Sequence, residues 1–135
     1  MCDVTMCGWG DLISLLQINI AMNRIELQQR TKQFNIDVIK SCEKLPRNAA
    51  GFEIAKQLIR AAGSVGANYR AKSKVDFIYK IQIVIEEADE CHYWLEIIRD
   101  ADLNRSSEID RLIKEANELT AIFTSTNKTA KLNKQ

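Results

Sequence analysis

From Phe77 to Ile98 the apolar residues return at alternating intervals of four and three: Phe77, Ile81, Val84, Ala88, Cys91, Leu95 and Ile98. Such an interval keeps one face of a helix apolar and is incompatible with the twofold alternation of a half-buried strand. The spacing predicts a helix from about Lys74 to Asp102 that packs nearly parallel to its neighbours, at about 20 degrees. Ile78, Ile85 and Trp94 broaden the apolar face beyond one seam. A helix of this kind needs several partners, from its own chain or from a second subunit. Ser73, with Asp76 three residues on, resembles a capping box at its start.

The rest of the chain offers three partners. A first helix is predicted from about Arg24 to Lys44, with Phe34, Val38, Cys42 and Leu45 on one stripe. Pro46 ends it, because the residue before proline is pushed out of the α region. A second helix is predicted from Asn48, a good N-cap, to about Arg70. Its stripe reads Phe52, Ala55, Ile59, Ala62 and Gly66, widened by Leu58, Val65 and Tyr69. Small residues crowd it: Ala61, Ala62, Gly63, Ser64, Gly66 and Ala67. Each helical glycine costs about 1 kcal/mol against alanine, so the pair implies close approach of a neighbour or a kink near Gly63. GSVG is no phosphate loop, since it has neither the lysine nor the preceding strand. A last helix is predicted from Ser107, capped with Asp110, to Thr126, on Ile109, Leu112, Ala116, Leu119 and Phe123. Residues 127–135 carry Lys128, Lys131 and Lys134 without an acid or aromatic, and read as a basic disordered tail.

Four amphipathic helices on short turns make an all-α fold, an antiparallel up-and-down four-helix bundle over residues 22–126. One proline and five glycines in 135 residues leave too few turn signals for an all-β alternative. No apolar run approaches the roughly 20 residues that span a bilayer. Residues 1–21 differ in composition from the charged, amphipathic sequence that begins at Met22. Asp3 and Asp11 stand where a signal peptide has bases. Leu12 to Ala21 either extend the first helix backward or precede a true start at Met22.

Charge is segregated. From Arg47 to Lys74 the bases are Arg47, Lys56, Arg60, Arg70, Lys72 and Lys74 against Glu53, a net of +5. From Asp76 to Asp102 the acids are Asp76, Glu86, Glu87, Asp89, Glu90, Glu96, Asp100 and Asp102 against Lys80 and Arg99, a net of −6. The two central helices can therefore pair within one bundle or between subunits of a ring. The bases at Arg70, Lys72 and Lys74 form either a solvated corner or a contact for phosphate.

Chemistry is hard to assemble from the remaining residues. His92 is the single histidine. With Asp89 it makes half of the Glu-x-x-His pattern of di-metal bundles, and no second half exists. No nucleophile and oriented base can be paired. An enzyme, a metal site and a cofactor are not expected. Cys42 and Cys91 fall on apolar faces and read as buried, reduced thiols. Cys2 and Cys7 lack a zinc partner set. Together they point to a cytoplasmic protein.

The segment from Leu45 to Leu103 resembles the bacterial 23S rRNA intervening sequence proteins, also called the S23 ribosomal protein family. The resemblance rests on Leu45-Pro46; on Gln57, Leu58, Arg60, Ser64, Val65, Ala67 and Asn68; on Ser73, Lys74, Phe77, Ile78 and Lys80; and on Glu86 to Glu90 with Tyr93, Trp94, Leu95 and Glu96. It extends over roughly Met22 to Phe123. Members begin at a methionine followed by a sequence like NRIELQQRTKQF, which favours Met22 as the natural start. The resemblance implies a four-helix bundle assembled as a ring, a homopentamer, encoded within inserts of 23S rRNA genes. It implies association with RNA or DNA, without an activity of its own. A related branch implies a protein-interaction adaptor, accessory to a reverse transcriptase. On this reading Arg60, Arg70, Lys72, Lys74 and Lys80 contact nucleic acid. Asn68, Phe77, Glu87, Glu90, Tyr93 and Trp94 carry the family signature or the oligomer contact. One departure stands out: only Tyr-Arg-Ala-Lys separates Asn68 from Ser73, about one helical turn fewer than the family usually has.

Overall fold

The computed structural model describes residues 24–71 and 73–133. The expectations for residues 1–21, Cys2, Cys7, Lys72 and Lys134 fall outside them. Four helices follow one another: α1 (Arg24–Cys42), α2 (Ala49–Tyr69), α3 (Lys74–Asp100) and α4 (Ser107–Leu132). The described residues contain no strand. Contacts between residues of rising number on one helix and falling number on the next make every neighbouring pair antiparallel. Thr31 meets Gly66, Tyr69 meets Phe77, and Gln82 meets Asn127. This is the expected up-and-down bundle.

The stripe on α3 is its axis. Ile81, Val84, Ala88, Cys91, Leu95 and Ile98 are all buried, and Phe77 is partly buried at the helix start. Each large member contributes about 1.5–3 kcal/mol by leaving water. On α4, Ile109, Leu112, Ala116, Leu119 and Phe123 are buried as the spacing predicts. Tyr69 closes one end of the core, edge-on to Phe77 at 6.0 Å and tilted against Phe123 at 5.0 Å.

The α2 stripe is rotated from the one predicted. Its core face is Gly51, Ile54, Leu58, Ala61, Ala62, Val65 and Tyr69, and Phe52 is 64% exposed. The turn from α1 sets this phase. The Asn48 side chain accepts the Gly51 N–H at 2.9 Å, and a Cβ on Gly51 would lie 1.9 Å from the Pro46 carbonyl oxygen. Glycine is required there, and it turns Phe52 outward. The other two helical glycines face α1: a Cβ on Gly66 would lie 3.3 Å from Thr31 Oγ1, and one on Gly63 3.6 Å from Asn35 Nδ2. Close approach, rather than a kink, explains them, since α2 runs unbroken through both.

Two further expectations are corrected at α4. Its N-cap is Ser106, not Ser107, and that side chain makes no cap hydrogen bond. The Asn104 side chain accepts the Ser106 N–H instead. Nor does the helix stop at Thr126. It runs to Leu132 and buries Asn127, whose Nδ2 donates to Gln82 Oε1 at 3.2 Å. A polar residue on the stripe hid the last turn and a half, and residues 127–132 are helix rather than tail.

The bundle closes unevenly. Contact between α1 and α4 is the sparsest of the four helix pairs. Ion pairs hold it where apolar packing is thin. Arg30 bridges Glu115 and Glu118, and Arg111 bridges Asp37 and Glu108.

Candidate nucleic-acid interface

The residues expected to contact nucleic acid separate into two places. Arg60 leaves α2 toward α3 and lies between two carboxylates. Its Nη2 donates to Glu90 at 2.7 and 2.8 Å, and its Nη1 to Glu87 at 3.3 and 3.4 Å. Trp94 Nε1 donates to the same Glu90 at 3.2 Å, and the Tyr93 ring packs edge-on to Trp94 at 5.1 Å. Glu87, Glu90 and Trp94, three of the residues expected to carry the signature or the oligomer contact, thus form one α2–α3 clasp around Arg60, with Tyr93 packed on Trp94. Hydrogen bonds from Arg60, then from Trp94, hold the Glu90 carboxyl below its usual range against the effect of burial. Glu87 goes the other way, because burial outweighs the attraction of Arg60. Arg60 is half exposed, yet its charge is met within the fold. Lys80 is likewise engaged, 3.4 Å from Asp76 one turn back.

Arg70 and Lys74 stand apart from that clasp. They flank the α2–α3 corner, Arg70 as the C-cap of α2 and Lys74 as the first residue of α3, both exposed. The corner is tied down from within. Asn68 Nδ2 donates to the Ser64 carbonyl oxygen, Ala71 is buried, and the Ser73 hydroxyl oxygen accepts the Asp76 N–H at 3.1 Å. Arg24, at the start of α1, donates from Nη2 to the Ala71 carbonyl at 2.5 Å. The same guanidinium lies 5.6 Å over the Phe77 ring, a favourable cation–π position.

The antiparallel order adds cations that sequence spacing does not reveal. The start of α1, the end of α2, the start of α3 and the end of α4 share one end of the bundle. Because α4 runs to Leu132, Lys128 and Lys131 are carried on its last turns. This end therefore gathers Arg24, Arg70, Lys74, Lys128 and Lys131. The acids of the same turns, among the described residues, are Glu26 and Asp76, and Asp76 is already met by Lys80. Of the five cations, Arg24, Lys128 and Lys131 were not among the expected contacts. Recognising α4's full length was the missing signal.

Among the described residues no group of three or more His, Cys, Asp or Glu is placed to hold a metal. His92 Nδ1 lies 2.8 Å from Glu96, not on Asp89. Burial pushes the Cys42 thiol up to about 11 and Cys91 higher still, which leaves both as poor nucleophiles. Among the described residues no helix is long and apolar enough to cross a membrane.

Comparison with known proteins agrees with this architecture. The pattern of the family described as 23S rRNA-intervening sequence protein matches residues 23–125. A crystal structure of a protein of unknown function from the S23 ribosomal protein family of Bacteroides thetaiotaomicron VPI-5482 is similar, with a TM-score of 0.70 and 25% identity. The match covers 78% of this chain and 98% of that one. Among curated proteins none matches. With the α3 stripe, the Arg60 clasp and a family pattern that runs from the start of α1 almost to the end of α4, the chain belongs to the 23S rRNA-intervening sequence protein family.

Proposed function

We propose that this bundle is a non-catalytic nucleic-acid-binding protein that contacts phosphates through its cationic end. The observation that carries the reading is the convergence of Arg24, Arg70, Lys74, Lys128 and Lys131 from all four helices onto one end, with few acids to neutralise them. Such a patch attracts any polyanion in a salt-dependent way and reads no base sequence by itself. Lys72 lies between Arg70 and Lys74 in the chain and adds one more base to that stretch of sequence. Arg60 and Lys80 take a structural part, each engaged by an acid. Fluorescence anisotropy of labelled single-stranded RNA and DNA across a salt series tests this. Binding should weaken as salt rises, and charge reversal at Arg70, Lys74, Lys128 and Lys131 together should remove most of it. Full affinity in that variant would overturn the assignment.

Assembly belongs to the same proposal. The outer face of α3 presents Val75, Tyr79 and Tyr93, at 82%, 72% and 56% exposure. Val75 and Tyr93 are 18 residues apart, about five whole turns, so they share one stripe with Tyr79 close beside it. Exposed Gln82, Glu86 and Asp89 lie between Tyr79 and Tyr93 on that line, so these are exposed apolar side chains on a polar face; with the family resemblance they support a homo-oligomeric ring, a pentamer. They equally support a second reading, an adaptor for a protein partner such as a reverse transcriptase. Native mass spectrometry separates them: the first expects a discrete homo-oligomer, the second a monomer that gains mass only with a partner. The free thiols Cys42 and Cys91 fit a bacterial cytoplasm.

A further inference from the structure

Where α1 and α4 separate above the Arg30 clasp, the bundle opens into a cleft of about 670 Å³. That volume lies within the roughly 300–1,000 Å³ of small-molecule sites. Leu27, Phe77, Ile78 and Ile122 form its apolar lining, and the fold covers each of them only in part. The α4 wall also carries hydroxyls, from Ser125, Thr126 and Thr129. Thr126 and Thr129 donate to the Ile122 and Ser125 carbonyls of their own helix, at 2.9 and 3.1 Å, which leaves their oxygens able to accept. Glu26 lines the cleft as well and offers a carboxylate to the same donors. Walls of this kind suit a flat ring with apolar faces and N–H groups on its edge. An aliphatic chain would strip water from the polar wall and return no hydrogen bond.

The rim gives the occupant a charge. Arg24 and Lys74 line it, and both belong to the cationic end. Arg30 lines the cleft too, but its charge is met by Glu115 and Glu118. An anionic group is therefore favoured at the rim rather than in the interior. Arg24 also lies 5.6 Å over the Phe77 ring, and aromatic rings and guanidinium planes are surfaces on which bases stack. A flat heterocycle with a phosphate beside it is a nucleotide. In a duplex the bases are paired and stacked, whereas in a single strand they can be splayed out.

We propose that the cleft receives one unstacked base of a bound single strand, which rests on phosphate binding at the cationic end. The base lies against Ile78, Ile122 and the Arg24–Phe77 pair, with its edge toward Thr126, Thr129 and Glu26. Its neighbouring phosphates lie on Arg24 and Lys74. The protein thereby distinguishes single strands from duplexes.

Fluorescence anisotropy on the full chain compares three ligands: a cytosine single strand of about ten nucleotides, a wholly abasic strand with as many phosphates, and a duplex. The cytosine strand should bind about tenfold more tightly than the abasic one, as one stacked base allows, with the same dependence on salt. Ala130→Trp and Thr126→Leu add bulk to the cleft from partly exposed positions. In either variant the cytosine strand should fall to the affinity of the abasic strand, while the abasic strand and the duplex bind as before. Hydrogen exchange on the unaltered chain needs no variant: the cytosine strand should slow exchange in residues 121–133 at least about threefold more than the abasic strand does. Equal affinity and equal protection with the two strands would overturn the proposal and leave phosphate binding standing. Absence of salt-dependent binding to all three ligands would remove both. A cytosine preference that survives the two substitutions in folded protein would place the base elsewhere, and would overturn the proposal too. So would a change of subunit number in Ala130→Trp with every affinity unaltered, which would assign the cleft to a second copy.

Discussion

Arg60 and Arg70 sit ten residues apart on the same helix and meet opposite fates. Arg60 is enclosed by Glu87 and Glu90, while Arg70 caps the helix in the open. Ten residues turn a helix by nearly three turns, so the two side chains leave on faces about 80 degrees apart. One face looks at the acidic α3, the other at the end of the bundle, where acids are few. The difference teaches that a run of like charges on a helix is not one site. Its members divide according to what the neighbouring helix places opposite them. At the α2–α3 flank the opposite charges cancel and hold two helices together. At the cationic end they do not cancel, and the surplus is available to a polyanion.

The largest test of this contrast is charge reversal at the cationic end. Arg70→Glu, Lys74→Glu, Lys128→Glu and Lys131→Glu together should lower RNA affinity at low salt by about 100-fold or more. The slope of log affinity against log salt should shrink by about 0.7 for each phosphate of a single strand that the variant no longer neutralises. Melting should change little, since all four side chains lie on the surface.

A second test asks whether the α2 phase creates the contrast. Gly51→Ala drives a methyl group into the Pro46 carbonyl and should cost about 2 kcal/mol or more in urea unfolding, despite alanine's better helix propensity. If the helix rotates to escape, Phe52 should become protected from solvent and the Arg60 clasp should loosen.

Breaking the flank itself should do less. Arg60→Ala leaves Glu87 and Glu90 facing each other, but the arginine it removes is half exposed and its ion pairs are screened. About 0.5 kcal/mol of stability should be lost in a denaturant titration, with RNA affinity unchanged within about twofold.

The smallest effect is in the pH dependence. Glu90 has a lowered folded pKa, so its contribution is present above its unfolded pKa and is lost as pH falls through the folded one. Glu87 has a raised pKa and contributes with the opposite sign. The two carboxyls of the flank therefore oppose each other as pH falls below about 5. In the α1–α4 clasp both carboxyls shift the same way. Burial raises Asp37, but hydrogen bonds from Gln33 and Arg111 outweigh it and hold the carboxyl low. Arg111 also lowers Glu108. Acid destabilisation between about pH 5 and 3 should flatten more in Arg111→Ala than in Arg60→Ala, as followed by unfolding midpoints across pH.

Much of the fold was legible in the sequence because it is periodic. The α3 stripe, the α4 stripe, the Asn48 and Ser73 caps and the break at Pro46 each rest on local spacing or local chemistry. The features that stayed hidden depend on contacts between distant residues. Phe52 points outward because Gly51 must sit under Pro46. Asn127 is buried because Gln82, forty-five positions earlier, accepts its hydrogen bond, so α4 outlasts its apolar pattern. Arg60 looked like its basic neighbours until α3 was placed beside it. The cationic end was half visible, as Arg70 and Lys74, and half concealed in the last turns of α4.

Ultraviolet crosslinking of the full chain to thiouridine-substituted RNA, with the attached peptides mapped by mass spectrometry, tests the central claim most directly. Crosslinks concentrated in peptides that carry Arg24, Arg70, Lys74, Lys128 and Lys131, and lost at high salt, are the predicted result. Crosslinks concentrated around Arg60, Glu87 and Trp94, with the cationic end unmarked, would contradict it.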